Sequence, residues 1–435
     1  MLKPSKPFLE GDCLQREIVT LHSKGQRSNG TPLLSHEGLR VLVIRHMILG
    51  FDVYAKSLLR DLMALTKRGH SVTCIVAATY QSRADKLEIP NFTLSCLRLR
   101  RLVPIFSLLL FELSACWRVL RSIGRWDVVV VDPDSALALF PVLLVQRLSG
   151  RLPALILRVS TNPLGTRGYV RNLFESFRYT LSLKLSAIFF DRIFFISPML
   201  AGLASAQLSI PNSKVSVWPS CVDTDLFDPS LKSGTLDLRK GLIRPGQLGV
   251  LYHGSIGRRR GTLGAVEAFK ILNEQSVKAT LILLGQGPAR DMQWISSYIR
   301  ANHMEEVVKV HGPIDYRGVP SYIAACDVGL VPLPDDPRWR YQCPTKTLEY
   351  LAMNKPVIVS QIPANSWIVG RAPVGVYLQG TSPQEIANGV QSFIANARNL
   401  DPQVGRRIAQ DFSAEKIAEM LDREFRSIPH LRRNR

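Results

Sequence analysis

"CPTKTLEYLAMNKPVIVS", residues 343–360, sets a Pro-Thr-Lys turn against a helix and the helix against an apolar strand. Pro344 presets the first turn of a helix whose interior is "TLEYLAM". Free N–H groups at a helix start, with the positive end of its dipole, favour an anion, and Lys346 adds a full charge. Glu349 follows one turn later on the same side, where it can accept hydrogen bonds from sugar hydroxyls beyond a phosphate. By local pattern alone, a helix-start Glu and a solvated Lys explain the same residues equally well.

Around this unit, strand-like runs recur at "LGVLYHG" (248–254), "ATLILLG" (279–285), "VVKVHG" (307–312), "DVGLVPL" (327–333) and "KPVIVS" (355–360). An earlier series has "LRVLVIRH" (39–46), "HSVTCIVA" (70–77), "WDVVVVD" (126–132), "LPALILRVS" (152–160) and "DRIFFIS" (191–197). Segments of helical spacing separate them, as in "YAKSLLRDLMALTKRG", which ends at Gly69. The reading is α/β: two open, doubly wound domains with a linker near 216–245, binding ligands at an interdomain cleft outside the strands' carboxyl ends. We expect a flexible extension over 1–38, domains over 39–220 and 221–410, and a C-terminal helix with a basic tail over 411–435 packing back on the first domain.

The formal charge is +20, of which +14 falls in residues 1–220. The basic residues there are interleaved with Leu, Ile and Phe rather than with stacking aromatics, which favours an anionic membrane surface over nucleic acid. "LRLRRLVPIFSLLLFELSACWRVLRSIGRW" (97–126) carries an apolar stretch flanked by Arg and by Trp117 and Trp126. It fits either an interfacial helix or a core helix with a basic face. No apolar run reaches about 18 residues, so no span of the bilayer is expected. The N-terminus shows no apolar signal-peptide core, and the seven scattered cysteines form no CxxC pair, which suits a reduced, cytosolic protein.

The candidate phosphate-binding stretch is "YHGSIGRRRGT" (252–262), where Gly254, Ser255 and three arginines including Arg259 and Arg260 follow a strand end. Glycine allows close backbone approach, and Arg grips phosphate bidentately. "LLGQGP" with Gly285 and "VHGPI" with Gly312 are further strand-end turns, and the four converge on one face. Two Asp-x-Asp triplets, "DPD" (132–134) and "DTD" (223–225), have the form of a metal motif, but Pro133 suggests a turn for the first and the second lies in the linker. No metal site or cofactor is expected.

In order and spacing, "VDTDLF", "HGSIGRRRG", "LLGQGP", "VKVHGPI", "VPSYIAACDVGLVPL" and "PTKTLEYLAMNKPVIVS" resemble the nucleotide-sugar domain of group 1 glycosyltransferases, retaining enzymes of the GT-B fold. The resemblance covers about residues 216–425 and extends more weakly into the first domain. It places the family's phosphate-binding Lys on Arg260 and its ribose-binding Glu on Glu349. The backbone at 344–348, with Pro344, Thr345 and Thr347, would cradle the diphosphate. The chain departs where the family has an Arg, at Ser255, and where it has the first of two glutamates, at Tyr341; Asp335 or Asp336 are the stand-ins nearby. In the first domain only Gly50 follows the first strand, no mid-domain His is found, and His46 is the acceptor-side candidate.

The resemblance implies transfer, with retention, from a nucleotide-sugar to a lipid-linked or glycan hydroxyl in envelope biosynthesis, at the cytoplasmic membrane face. Arg260 and Lys346 would stabilise the leaving diphosphate without a metal. The alternatives are a GT-B-fold sugar-nucleotide epimerase and a degenerate, non-catalytic binding subunit.

Overall fold

The computed structural model describes residues 38–49, 53–79, 86–99, 104–122, 124–148, 153–161, 169–230, 235–429 and 431. The expected extension therefore lies outside the described residues except for Gly38, as do Gly50 and the side chain of His46. The chain divides into two compact units, residues up to Pro219 with Ala414–Arg435, and Ser220–Ser413.

The first unit holds strands β1 (Arg40–Leu49), β2 (Ser71–Thr79), β3 (Lys86–Ile89), β4 (Phe92–Leu99), β5 (Val128–Val131), β6 (Ala154–Val159), β7 (Arg192–Phe195) and β8 (Val215–Val217). They pair in the order β3-β4-β2-β1-β5-β6-β7-β8. All neighbours are parallel except the β3–β4 hairpin, whose turn puts Asn91 at φ +61°. Every residue of β5 and β6 is buried, as helices on both faces of a parallel sheet require. Helix Ala414–Ser427 belongs to this unit and packs on helix Val53–Lys67. Its fully buried Phe425 meets Phe194 edge-on at 6.2 Å, and Phe194 meets Trp218 at 5.9 Å. The exposed Lys67–Glu415 pair at 3.9 Å adds little beside that apolar contact.

The second unit is a six-stranded parallel sheet of β9 (Leu248–His253), β10 (Ala279–Leu284), β11 (Val308–His311), β12 (Val328–Val331), β13 (Val357–Ser360) and β14 (Gly375–Leu378). The order is β11-β10-β9-β12-β13-β14. Tyr350, on helix Thr345–Ala352, is fully buried and donates from its hydroxyl to the Leu251 carbonyl of β9 at 2.8 Å. That bond and the ring fix the helix on the middle of the sheet.

Four strands escape the apolar-run reading. β3, β8 and β14 have four residues or fewer, and β14 is a half-buried edge. β4, "FTLSCLRL", mixes polar residues into its apolar ones. The stretch 97–126 accordingly divides into the end of β4 and helix Pro104–Arg121.

Gly329 in β12 lies under Tyr350, and a Cβ there would stand 2.2 Å from the ring. Gly329→Ala is expected to destabilise this unit by about 1–3 kcal/mol through overpacking, read as a lower denaturant midpoint. Gly241→Ala, on a helix with open space around it, should lower nothing.

Candidate active site

In the second sheet the chain leaves β9 toward β10 and β11, then returns to its other side as β12 and β13. The carboxyl ends of β9 and β12 thus form a topological switch point, where open α/β sheets bind ligands. Gly254 follows β9 at φ +101°, and a Cβ there would lie 2.8 Å from Cε of Lys346 and 3.2 Å from its Nζ. Gly285 follows β10 at φ +143°, where a Cβ would lie 2.0 Å from the Gly254 carbonyl oxygen. These two glycines let neighbouring strand ends abut and let Lys346 cross above them.

Two cations meet here. The Arg260 guanidinium lies 4.0 Å from the centre of the Trp339 ring, and Lys346 Nζ lies 5.4 Å from that of Tyr252. Burial, then the charge of Arg260, pushes Lys346 down to about 8, with Glu349 pulling the other way. The helix bearing Lys346 has no side-chain cap. Its Thr347 amide returns to the Pro344 carbonyl at 3.1 Å, and Pro344 has no N–H. The amides of Thr345 and Lys346 make no hydrogen bond among the described residues and are the ones available to an anion. Expected as a cradle of amides over 344–348, the helix start is narrower than that. The Thr347 hydroxyl is buried against Asn365 at 3.3 Å, so this residue offers a ligand no side chain.

Glu349 is 4 % exposed. Tyr316 donates to its Oε1 at 2.5 Å, and His253 Nε2 approaches Oε2 at 3.2 Å without hydrogen-bond alignment. Burial and Lys346 push His253 down to about 3, so the imidazole is neutral. Phe227, fully buried, packs edge-on against Tyr316 at 5.4 Å. The "VDTDLF" segment thereby supports the residue that orients Glu349.

Residues 247–396 match the family described as Glycosyl transferases group 1, and residues 50–226 match Glycosyltransferase Family 4. The second half thus carries a group 1 glycosyltransferase domain and the first half a Family 4 one. The chain's fold is GT-B. Anabaena HepE in complex with UDP superposes with a TM-score of 0.66 at 15% identity, over 89% of this chain and 100% of that one. WaaG, a glycosyltransferase involved in lipopolysaccharide biosynthesis, superposes with 0.63 at 14% identity, over 89% and 99%. A putative teichuronic acid biosynthesis glycosyltransferase of Bacillus subtilis, TuaH, is 33% identical over 100 residues, 23% of this chain. That match spans a quarter of the relative's length, 25%.

Within the second unit the structure brings Gly254, Gly285, Arg260, Lys346 and Glu349 together at or beside the switch point. The space a Cβ would take at Gly312 is open. The side chains of Ser255 and Arg259 are exposed, and their carbonyls accept from the Tyr252 hydroxyl and Trp339 Nε1. Asp336, near the glutamate missing at 341, has its carboxylate bound by Arg338 at 2.6 and 2.8 Å. Sequence reasoning missed His253, Tyr316 and Trp339. Only His253 carried a signal, its place beside Gly254 at a strand end.

Lys346 sets a proton-linked expectation. Near pH 8.5 it is largely neutral in the free protein, and a bound anion would raise its affinity for a proton. Binding of UDP or GDP at that pH should take up protons, seen as a dependence of calorimetric heat on buffer ionisation enthalpy. Lys346→Met should abolish the uptake.

Proposed function

We propose that this chain transfers a hexosyl group from a nucleotide-sugar to a hydroxyl of a lipid-linked or glycan acceptor in envelope polysaccharide or glycolipid biosynthesis, with retention. One observation carries this reading: Arg260, Lys346 and an uncapped helix start meet at the β9/β12 switch point, with buried Glu349 one turn further on. The two cations and the free amides suit a diphosphate. Glu349, held by Tyr316, suits ribose hydroxyls. As the bond from the anomeric carbon to the diphosphate breaks, negative charge grows on the leaving oxygen, where the cations stabilise it. The acceptor oxygen bonds to the same face of that carbon, and its proton passes to the departing phosphate.

The reaction is proposed to run without a metal. Asp132 Oδ1 accepts from the Ser135 amide at 2.8 Å at the start of helix Pro133–Leu148, where a turn was expected, and Asp223 Oδ1 accepts from the Leu226 amide at 2.9 Å. Turnover of the purified chain on a panel of nucleotide-sugars, with and without EDTA, tests the whole reading. Transfer or hydrolysis is expected; epimer formation alone, or binding alone, would replace it with one of the alternatives. Arg260→Ala should lower kcat more than it raises KM, because the leaving diphosphate gains charge in the transition state.

The membrane partner is proposed on the first unit. No described helix is long and apolar enough to cross a membrane. Helix Pro104–Arg121 buries Phe111, Ala115 and Val119 yet exposes Leu113 by 66% and Trp117 by 56%. Arg121 lies over the Trp117 ring at 4.3 Å. Neighbouring helices Pro133–Leu148 and Tyr169–Phe189 expose Leu148, Leu173, Phe177 and Ile188. This apolar face with basic neighbours suits the headgroup region on the cytoplasmic side, each basic residue contributing about 1 kcal/mol. Sedimentation with anionic vesicles at low salt should exceed that with zwitterionic vesicles and fall as salt rises. Leu113→Ser with Trp117→Ser should weaken it; equal, negligible binding to both vesicle types would favour a soluble acceptor.

A further inference from the structure

We propose that Trp339 is a positioning residue for Arg260, holding its guanidinium in place for the diphosphate while leaving its charge unneutralised; this rests on reading Arg260 and Lys346 as a diphosphate site. Arg260 ends a three-arginine turn whose other two members, Arg258 and Arg259, are exposed. The nearby acids pair elsewhere, Asp336 with Arg338 and Asp335 with Arg340 at 3.3 Å. The Arg260 guanidinium instead rests 4.0 Å from the centre of the Trp339 ring.

Trp339 is itself fixed from two sides. Its Nε1 donates to the Arg259 carbonyl at 2.9 Å, tying the platform to the turn that it supports. It lies on the short helix Pro337–Arg340, whose first turn is capped by Asp336 accepting from the Arg338 amide at 2.9 Å. The Asp336 carboxylate is also bound by the Arg338 side chain, which holds this acid apart from Arg260.

The choice of platform matters chemically. A carboxylate would fix Arg260 equally well, but would cancel the charge that a leaving diphosphate needs and occupy the N–H edges that grip phosphate. An indole face attracts the cation through its quadrupole, stacks against the planar group and leaves those edges free. Lys346 beside the Tyr252 ring repeats the device, although 5.4 Å is a looser contact.

The test compares wild type, Trp339→Leu, Trp339→Phe, Arg260→Ala and the Trp339→Leu/Arg260→Ala double variant of the full chain. Affinity is measured for UDP, GDP and ADP, and turnover with the matching nucleotide-sugars. Trp339→Leu should lower kcat by roughly ten-fold, more than it changes KM, in line with a cation–π contact. Trp339→Phe, which keeps a face but loses Nε1, should recover part of the loss. On the Arg260→Ala background, Trp339→Leu should cost almost nothing further. Wild-type kinetics in Trp339→Leu, or losses that add independently in the double variant, overturn the proposal. Should Trp339→Leu fail to fold, the same comparison run with Trp339→Phe decides it: no loss, or a loss that persists without Arg260, overturns it. A wild type that binds none of the three nucleotides overturns the diphosphate reading itself, and this inference with it.

Discussion

Arg260 and Lys346 repel each other at the end of the second sheet, each lying beside an aromatic ring. Burial, and after it the neighbouring guanidinium, bring Lys346 down to about 8, with Glu349 acting against both. Structure around the pair enforces the arrangement. Gly254 leaves the gap through which the lysine passes, the Tyr252 and Trp339 rings lie against the cations, and the uncapped helix start adds amides of the same polarity. On the diphosphate reading proposed above, the bound anion would offset that repulsion.

Consecutive residues of helix Thr345–Ala352 divide the work of placing that site. Residues one apart on a helix point about 100° apart, so one can face the core while the next faces the ligand. Tyr350 sends its hydroxyl to the Leu251 carbonyl and fixes the helix on β9. Glu349 turns to Tyr316 and His253, which come from two other segments of the unit. A neutral His253 matters here, since a charged imidazole would add a third cation and compete for the carboxyl group. Phe227 behind Tyr316 carries the constraint out to the start of the unit.

The fold was legible because parallel strands buried on both faces leave unbroken apolar runs such as "VVVV" and "ATLILL". The strands that were missed are short, lie at an edge or mix polar with apolar residues, so no run survives. Gly254, Arg260, Lys346 and Glu349 were legible for a related reason, since strand-end glycines, a basic turn and a helix start are local patterns. Tyr316 and Trp339 were not. Each acts through a residue distant in sequence, 33 positions in the Tyr316–Glu349 bond and 80 in the Trp339–Arg259 bond. Nothing in "IDYRG" or "DPRWRY" announces such a contact.

The departures at Ser255 and Tyr341 are best understood together. By the family resemblance, Ser255 removes one positive charge and Tyr341 removes one negative charge, so the summed charge offered to a diphosphate and its sugar is unchanged. What changes is its distribution. On the proposed reading phosphate recognition falls to Arg260 and Lys346, and the segment 335–343 sets an aromatic face against Arg260. Asp336 does not restore the acid, because Arg338 holds it. An indole beneath the remaining arginine is a physically coherent answer to the loss of a second one, because a single cation must then be held more tightly in one geometry. On the proposed reading, one arginine held on an indole can then do work that the family assigns to a larger set of ionic contacts.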